Sequence, residues 1–186
     1  MLARFKTITA AAAIAVIAAM AAIGGMTANS GAATALPIDR NSPAPEFVGI
    51  ERWLNSAPLT MQQLRGKVVL VDFWTYSCIN CVNTLPHVED WHEKYKDQGL
   101  VVVGVHTPEY PYERKTAKVS AAIQQYGLRY PVAQDNEYAT WNAYGNQYWP
   151  ALYLIDKKGR IVYSHFGEGN YAKTEAAIRE QLARSE

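Results

Sequence analysis

The sequence is poor in sulfur: Cys78 and Cys81 are the only cysteines in 186 residues. Two cysteines make at most one bridge. A bridge closing so short a loop removes little freedom from the unfolded chain, which argues against a disulfide-stapled scaffold. Histidine is nearly as scarce, with His87, His92, His106 and His165 standing singly. A structural zinc site needs four ligands, and the one near-pair, His87 and His92, diverges on a helix. Covalent haem attachment requires histidine directly after the second cysteine, where Val82 stands. Charge of one sign is lacking too. The chain has 18 basic and 17 acidic residues, and setting aside Arg4 and Lys6 of the leader takes the basic count from 18 to 16. That balance gives no electrostatic case for a nucleic-acid or anionic-membrane partner. Beyond the leader there are no internal repeats and no low-complexity segments.

There is one long apolar run, from Ile8 to Ile23 and mostly alanine, preceded by Arg4 and Lys6 and followed by the small, polar "GGMTANSGAATA". This pattern predicts a signal peptide with an Ala33-Thr34-Ala35 cleavage site, or a single retained membrane anchor. Either sends the remainder out of the cytoplasm, to the periplasm or cell envelope. The lack of a cysteine near the end of the leader excludes lipoprotein attachment through that residue. The expected division is therefore residues 1–35 as leader and 36–186 as one domain, long enough for a single core.

Within that domain, a proline-rich approach leads to residues 47–64, whose short apolar pieces broken by "NSAP" predict a small N-terminal hairpin. "VVLVDFW" is apolar on both faces, as a central buried strand is, with Asp72 as its one anomaly. Val82, Leu85, Val88, Trp91 and Tyr95 recur at helical spacing up to "KDQG". A second buried strand, "LVVVGVH", and a helix over "PYERKTAKVSAAIQQYG", from Pro111 and ended by Gly127, follow, so the order implies a parallel strand pair with a crossover. "YPVAQD" and a helical "NEYATWNAYG" come next. "PALYLIDKKGRIVYSHFG" then predicts a β-hairpin turning at Gly159, and the chain closes in an amphipathic helix with Ala177, Ile178 and Leu182 on its apolar side. The fold class is α/β, a mixed sheet covered by helices.

Both cysteines lie where a strand ends and a helix begins. Unpaired N–H groups and the positive end of that helix favour thiolate over thiol. Cys78, at the helix tip, is the expected attacking sulfur, and Cys81, one turn inside, the resolving one. Resolution requires Cys81 to lose its proton, and Asp72, desolvated in an apolar strand, is the candidate base. Three uses of the pair stay open on the residues alone: a local clip, thiol–disulfide exchange, or copper binding through both thiols and His106. Pro150, before the apolar "ALYLI", is tolerated only at a strand start or edge, and an aromatic residue before it raises the cis fraction. The end of the second strand brings His106 and Glu109 to the same side of the sheet as the cysteine loop, and Tyr76, Tyr148 and Trp149 are candidates for an apolar rim.

"VVLVDFWTYSCINC", with Pro86 five residues after the second cysteine, resembles the thioredoxin superfamily. "LRGKVVLVDFW" and the added strand and helix before the hairpin look like the exported TlpA and ResA type. "WTYSCINC", "VVVGVHTPE", "YATWNAYGNQYWP" and "HFGEG" are similar, more narrowly, to the thioredoxin-like domain of DipZ proteins. The resemblance implies a thioredoxin-like fold with an inserted strand and helix, and an enzyme that exchanges disulfides with envelope proteins through a redox-active Cys78–Cys81 pair. It implies no other cofactor and no resident metal. It also implies a cis bond at Trp149-Pro150, where the backbone of Trp149 would receive an extended partner segment. The expected direction is reduction of partner disulfides, such as those of apocytochromes in cytochrome c biogenesis; a copper-binding chaperone is the alternative. DipZ proteins fuse this domain to a membrane-embedded electron carrier, so an electron donor is expected in the membrane. Two departures matter: Ile79 and Asn80 replace the usual residues between the cysteines, and Ser77 replaces the common tryptophan before the first. The P-x-x-x-T-x-x-C pattern of peroxide-reducing redoxins is absent at Cys78.

Overall fold

The structure, a computed structural model, describes residues 41–185; the expected leader lies outside them. Six strands, β1 (Arg52–Leu54), β2 (Val68–Trp74), β3 (Leu100–His106), β4 (Val132–Gln134), β5 (Ala151–Ile155) and β6 (Ile161–Phe166), form one mixed sheet in the order β1-β4-β3-β2-β5-β6. The two apolar runs of the sequence become its centre. β2 (Val68–Trp74) and β3 (Leu100–His106) pair in parallel across seven residue pairs, from Val68 with Leu100 to Trp74 with His106. On the other side of β2, β5 (Ala151–Ile155) runs antiparallel and continues into β6 (Ile161–Phe166) as the expected hairpin. Every residue of β2 is buried, which is what a run apolar on both faces requires.

Period-two alternation divides β2 between two cores. Val68, Leu70 and Trp74 face α1 (Ile79–Tyr95), α2 (Thr116–Gln125) and α4 (Tyr171–Ala183), packing with Leu85, Val88, Trp91, Val119, Ile123 and Ile178. Val69, Val71 and Phe73 face the short α3 (Ala139–Ala143) and the 61–64 segment, with Trp141, Tyr144 and Met61. Asp72 lies on the α1 face between Leu70 and Trp74. The period-three and period-four apolar positions of α1 are borne out: Leu85, Val88, Trp91 and Tyr95 are buried, as are Cys81 and Thr84. Val82 is only half buried. Its histidines diverge as expected, His87 stacking on Tyr171 and His92 meeting the edge of Tyr130.

Two expectations need correction, and a third is met in part. No hairpin forms within residues 47–64. That stretch supplies a single three-residue strand, β1 (Arg52–Leu54), which pairs antiparallel with β4 (Val132–Gln134) at the edge of the sheet. Its apolar residues are spent elsewhere, Phe47 packing edge-on against Trp53. The helix expected from Pro111 onwards is divided: a 3₁₀ turn, Pro111–Arg114, is separated from α2 by Lys115 in an extended conformation. The apolar side of α4 also differs in part, with Thr174, Ile178 and Gln181 as its buried residues.

Candidate active site

β2 delivers the chain to the C-terminal edge of the sheet, and residues 75–78 turn it into α1. Cys78 is the N-cap of that helix, in an extended conformation, and its sulfur accepts the backbone N–H of Cys81 at 3.4 Å. A free helix N-terminus offers unpaired donors and a positive potential to such a group. Cys78 is half buried and Cys81 fully buried; both are free thiols.

Their surroundings separate them chemically. The Cys81 side chain, then the N–H groups of Cys81 and Asn80, stabilise the Cys78 thiolate and bring its pKa from 9.0 to about 7, against partial burial and the charge of Glu109. Cys81 moves the other way. Burial, the bond to Cys78 and the charges of Cys78 and Asp72 push it far above an ordinary thiol, which the N–H of Thr75 only partly opposes. The pair therefore offers one sulfur that ionises near neutrality and one that needs a base.

Asp72 supplies a candidate. It is 1% exposed, and burial first, with the charge of Cys78 second, raises its pKa from 3.8 to about 7. Neither carboxylate oxygen has a hydrogen-bond partner among the described residues. Its electrostatic influence reaches both sulfurs, so the structure brings together the three residues singled out for the chemistry.

Trp149 and Pro150 lie across the site from α1. Their peptide bond is cis, and the carbonyl of Trp149 lies 4.0 Å from Cys78 Sγ. The indole N–H of Trp149 donates to the Thr107 carbonyl at 2.9 Å, and its ring packs on Trp141 with centroids 4.1 Å apart. The backbone edge beside the sulfur is thus held from the side-chain end.

His106 does not reach the cysteines. It is buried, its Nε2 lies 3.3 Å from Thr75 Oγ1, and its ring stacks on Tyr76. Burial lowers its pKa to about 4, with Glu113 pulling weakly the other way. Among the described residues no three His, Cys, Asp or Glu side chains are grouped as metal ligands.

Glu113 was not legible as a site residue. It sits in what reads as a charged helix start, yet it is completely buried. One carboxylate oxygen accepts the Ser77 hydroxyl; the other accepts the backbone N–H groups of Glu109 at 2.6 Å and Tyr110 at 2.9 Å. Burial alone would raise its pKa. The bonds from Ser77, Tyr110, Thr75 and Glu109 outweigh that and hold it below the ordinary glutamate value. Tyr76 Oη donates to the Tyr112 carbonyl and Ser77 meets the Tyr112 hydroxyl, so the 109–114 turn is laced to the cysteine loop. On its outer face Tyr110 and Tyr112 stack in parallel, both about half exposed. A second exposed aromatic pair, Tyr148 and Phe166, lies beside Trp149, and Ile79 protrudes from the helix tip. Of the three residues suggested for a rim, Tyr148 is exposed, whereas Tyr76 and Trp149 are half buried.

Comparison with known proteins agrees with this geometry. A family model described as Redoxin matches residues 39–182. Protein DipZ of Mycobacterium tuberculosis (strain CDC 1551 / Oshkosh) is 51% identical over 142 residues, covering 75% of this chain and 20% of DipZ. The chain therefore spans about a fifth of that relative. Thiol-disulfide oxidoreductase YkuV of Bacillus subtilis (strain 168) is 33% identical over 145 residues, covering 77% of this chain and 97% of YkuV. A solved thioredoxin-like protein in its oxidised form superposes with a TM-score of 0.71 at 32% identity, covering 79% of this chain and 98% of that one. With the matched family model spanning nearly the whole described domain, the sheet order expected of a thioredoxin-like fold and a C-x-x-C pair at a helix tip, the chain belongs to the redoxin family, with thiol-disulfide oxidoreductase YkuV among its relatives.

Proposed function

We propose that this protein is an exported reductant of protein disulfides in the cell envelope, with residues 1–35 as its signal peptide or membrane anchor. Cys78 attacks a disulfide of the partner. One partner sulfur leaves as thiolate and the other joins Cys78 in a mixed disulfide. Cys81 gives its proton to Asp72 and attacks Cys78; the second partner sulfur departs, and the Cys78–Cys81 disulfide carries away the two-electron oxidation. The backbone at Trp149 and Pro150 receives the extended partner segment. A membrane electron donor then restores the dithiol.

The observation that carries this reading is the asymmetry of the pair: a half-buried Cys78 with a pKa of about 7 beside a buried Cys81 with a raised one. It supports the direction as well. Strong oxidants of this fold stabilise their reduced form through a thiolate with a pKa near 3.5, whereas the reductant thioredoxin has an attacking thiol near 7. Apocytochrome thiols are among the partners such a reductant serves.

The test is turnover of insulin disulfides, with the reduction potential measured alongside. Wild type should reduce insulin and Cys78→Ser should not, with a potential nearer the roughly −270 mV of thioredoxin than the roughly −120 mV of DsbA. Equal turnover by both proteins removes the thiol assignment, and a potential near the upper value reverses the direction.

A further inference from the structure

Once a partner is attached to Cys78 it covers the mouth of the cleft, and the proton taken by Asp72 needs another way out. Behind Asp72 the core is unusually rich in unsatisfied polar atoms. Both Asp72 oxygens, Trp74 Nε1, Tyr130 Oη and His92 Nδ1 are buried without a hydrogen-bond partner among the described residues. Each such atom costs about 1–3 kcal/mol if it stays dry, so a row of them calls for a role or for internal water.

The residues that carry these atoms are neighbours in the fold. Gly104 on β3 is the register partner of Asp72. A Cβ built on Gly104 would meet Tyr130 Cε2 at 2.9 Å and Trp74 Nε1 at 3.0 Å, so both rings converge on the backbone next to the carboxyl. Tyr130 is fully buried, and burial first, then the charge of Asp72, raises its hydroxyl well above the usual value. Its ring meets His92 edge-on, with centroids 5.9 Å apart. The His92 side chain is 14% exposed and lies 3.9 Å from Glu93, with Glu89, Lys96 and Arg129 as the other charges acting on it. Burial holds its imidazole neutral to lower pH than usual, ready to accept a proton.

We propose that Asp72, Tyr130 and His92 form a proton relay, bridged by internal water, that connects the resolving cysteine to solvent near the far end of α1. Fourteen residues of helix separate Cys78 from His92, about 20 Å at 1.5 Å per residue, so the outlet is clear of a docked partner. The proton leaves the Cys81 thiol for the Asp72 carboxylate as Cys81 displaces the partner sulfur. The carboxylic acid passes it to water, Tyr130 Oη accepts a proton while giving up its own, and His92 delivers one to solvent. No tyrosinate forms, Trp74 Nε1–H only donates to the water, and the electron pair leaves with the partner's thiolate. The relay rests on the reading of Cys78, Cys81 and Asp72 given above.

The test separates attack from resolution by rapid mixing with a disulfide-bonded peptide, attack being measured in a Cys81→Ala background. Tyr130→Phe removes a hydroxyl that no group among the described residues bonds, so the fold should lose no stability. It should slow resolution at least tenfold near neutral pH, with attack by Cys78 unchanged. In wild type the resolution rate should level off above about pH 7, and in Tyr130→Phe it should keep climbing with hydroxide. His92→Ala should slow resolution likewise and be rescued by added imidazole. A wild-type rate and pH profile in Tyr130→Phe overturns the relay while leaving the thiol chemistry intact. Loss of stability with equal slowing of both steps also overturns it, in favour of packing. A Cys78→Ser protein as active as wild type removes the underlying reading, and the relay with it.

Discussion

Asp72 on β2 and Gly104 on β3 are partners in the parallel ladder, a buried carboxyl set beside a residue with no side chain. Tyr130 and Trp74 fill the space that a β-carbon at Gly104 would take, at 2.9 and 3.0 Å. Both rings are completely buried. Gly104→Ala should therefore cost about 1–3 kcal/mol of stability, as overpacking does. Urea unfolding monitored by tryptophan fluorescence checks this; an unchanged midpoint would mean that the rings yield freely.

The carboxyl of Asp72 is held neutral to higher pH in the folded state than in the unfolded chain, from 3.8 up to about 7, mainly by burial. Between those values the folded protein binds more protons than the unfolded one, so stability falls as pH rises. For a group this deeply buried the loss is on the order of 4 kcal/mol. Asp72→Asn should flatten the decline between pH 4 and pH 7 and be more stable than wild type at pH 8. It should also slow resolution of the mixed disulfide. Parallel stability curves for the two proteins would show that the carboxyl is not desolvated.

Alkylation with iodoacetamide reads the thiolates directly. Modification of Cys78 should rise with a midpoint near pH 7, and Cys81 should stay unmodified throughout the neutral range. The bond from the Cys81 side chain is the largest influence on Cys78, so Cys81→Ala should move the midpoint upward. A midpoint near 9 in wild type would remove the asymmetry on which the functional reading stands.

Glu113 holds the cysteine loop through Ser77 and holds its own turn through the N–H groups of Glu109 and Tyr110. Glu113→Ala strands these donors, at roughly 1–3 kcal/mol for each that stays buried. Hydrogen exchange should quicken at Tyr110 while the ladder of β2 and β3 keeps its protection. The pKa of Glu113 is lowered in the folded state, so its contribution is present above the ordinary glutamate range and lost as pH falls through the lowered value. Glu113→Gln should accordingly show a shallower acid limb than wild type.

How much of this the sequence carried depends on the range of the forces involved. β2, β3 and the β5–β6 hairpin were legible because local composition sets them: runs buried on both faces, and a turn at Gly159 with φ +76°. The placing of Cys78, Cys81 and Asp72 followed from one strand-to-helix junction. β1 was misjudged as half of a hairpin because its partner, β4, lies some eighty residues away and nothing near Arg52 announces it. Glu113 and Tyr130 escaped for the same reason. An acidic residue at a helix start usually faces water, and one tyrosine among 12 carries no mark of burial. Their significance comes from contacts across the fold: Glu113 with Ser77, and Tyr130 with Gly104.

The chain enters the described domain beside the β5–β6 turn: Asn41 donates to the Ile161 carbonyl, Ala44 to that of Gly159, and Pro43 bridges to Arg160. β5 runs antiparallel to β2, so this turn lies at the end of the sheet opposite Cys78. Seven residues of β2 put roughly 23 Å between the two ends. The first described residues are therefore fastened at the base of the sheet, and the end that carries Cys78 is left clear of them.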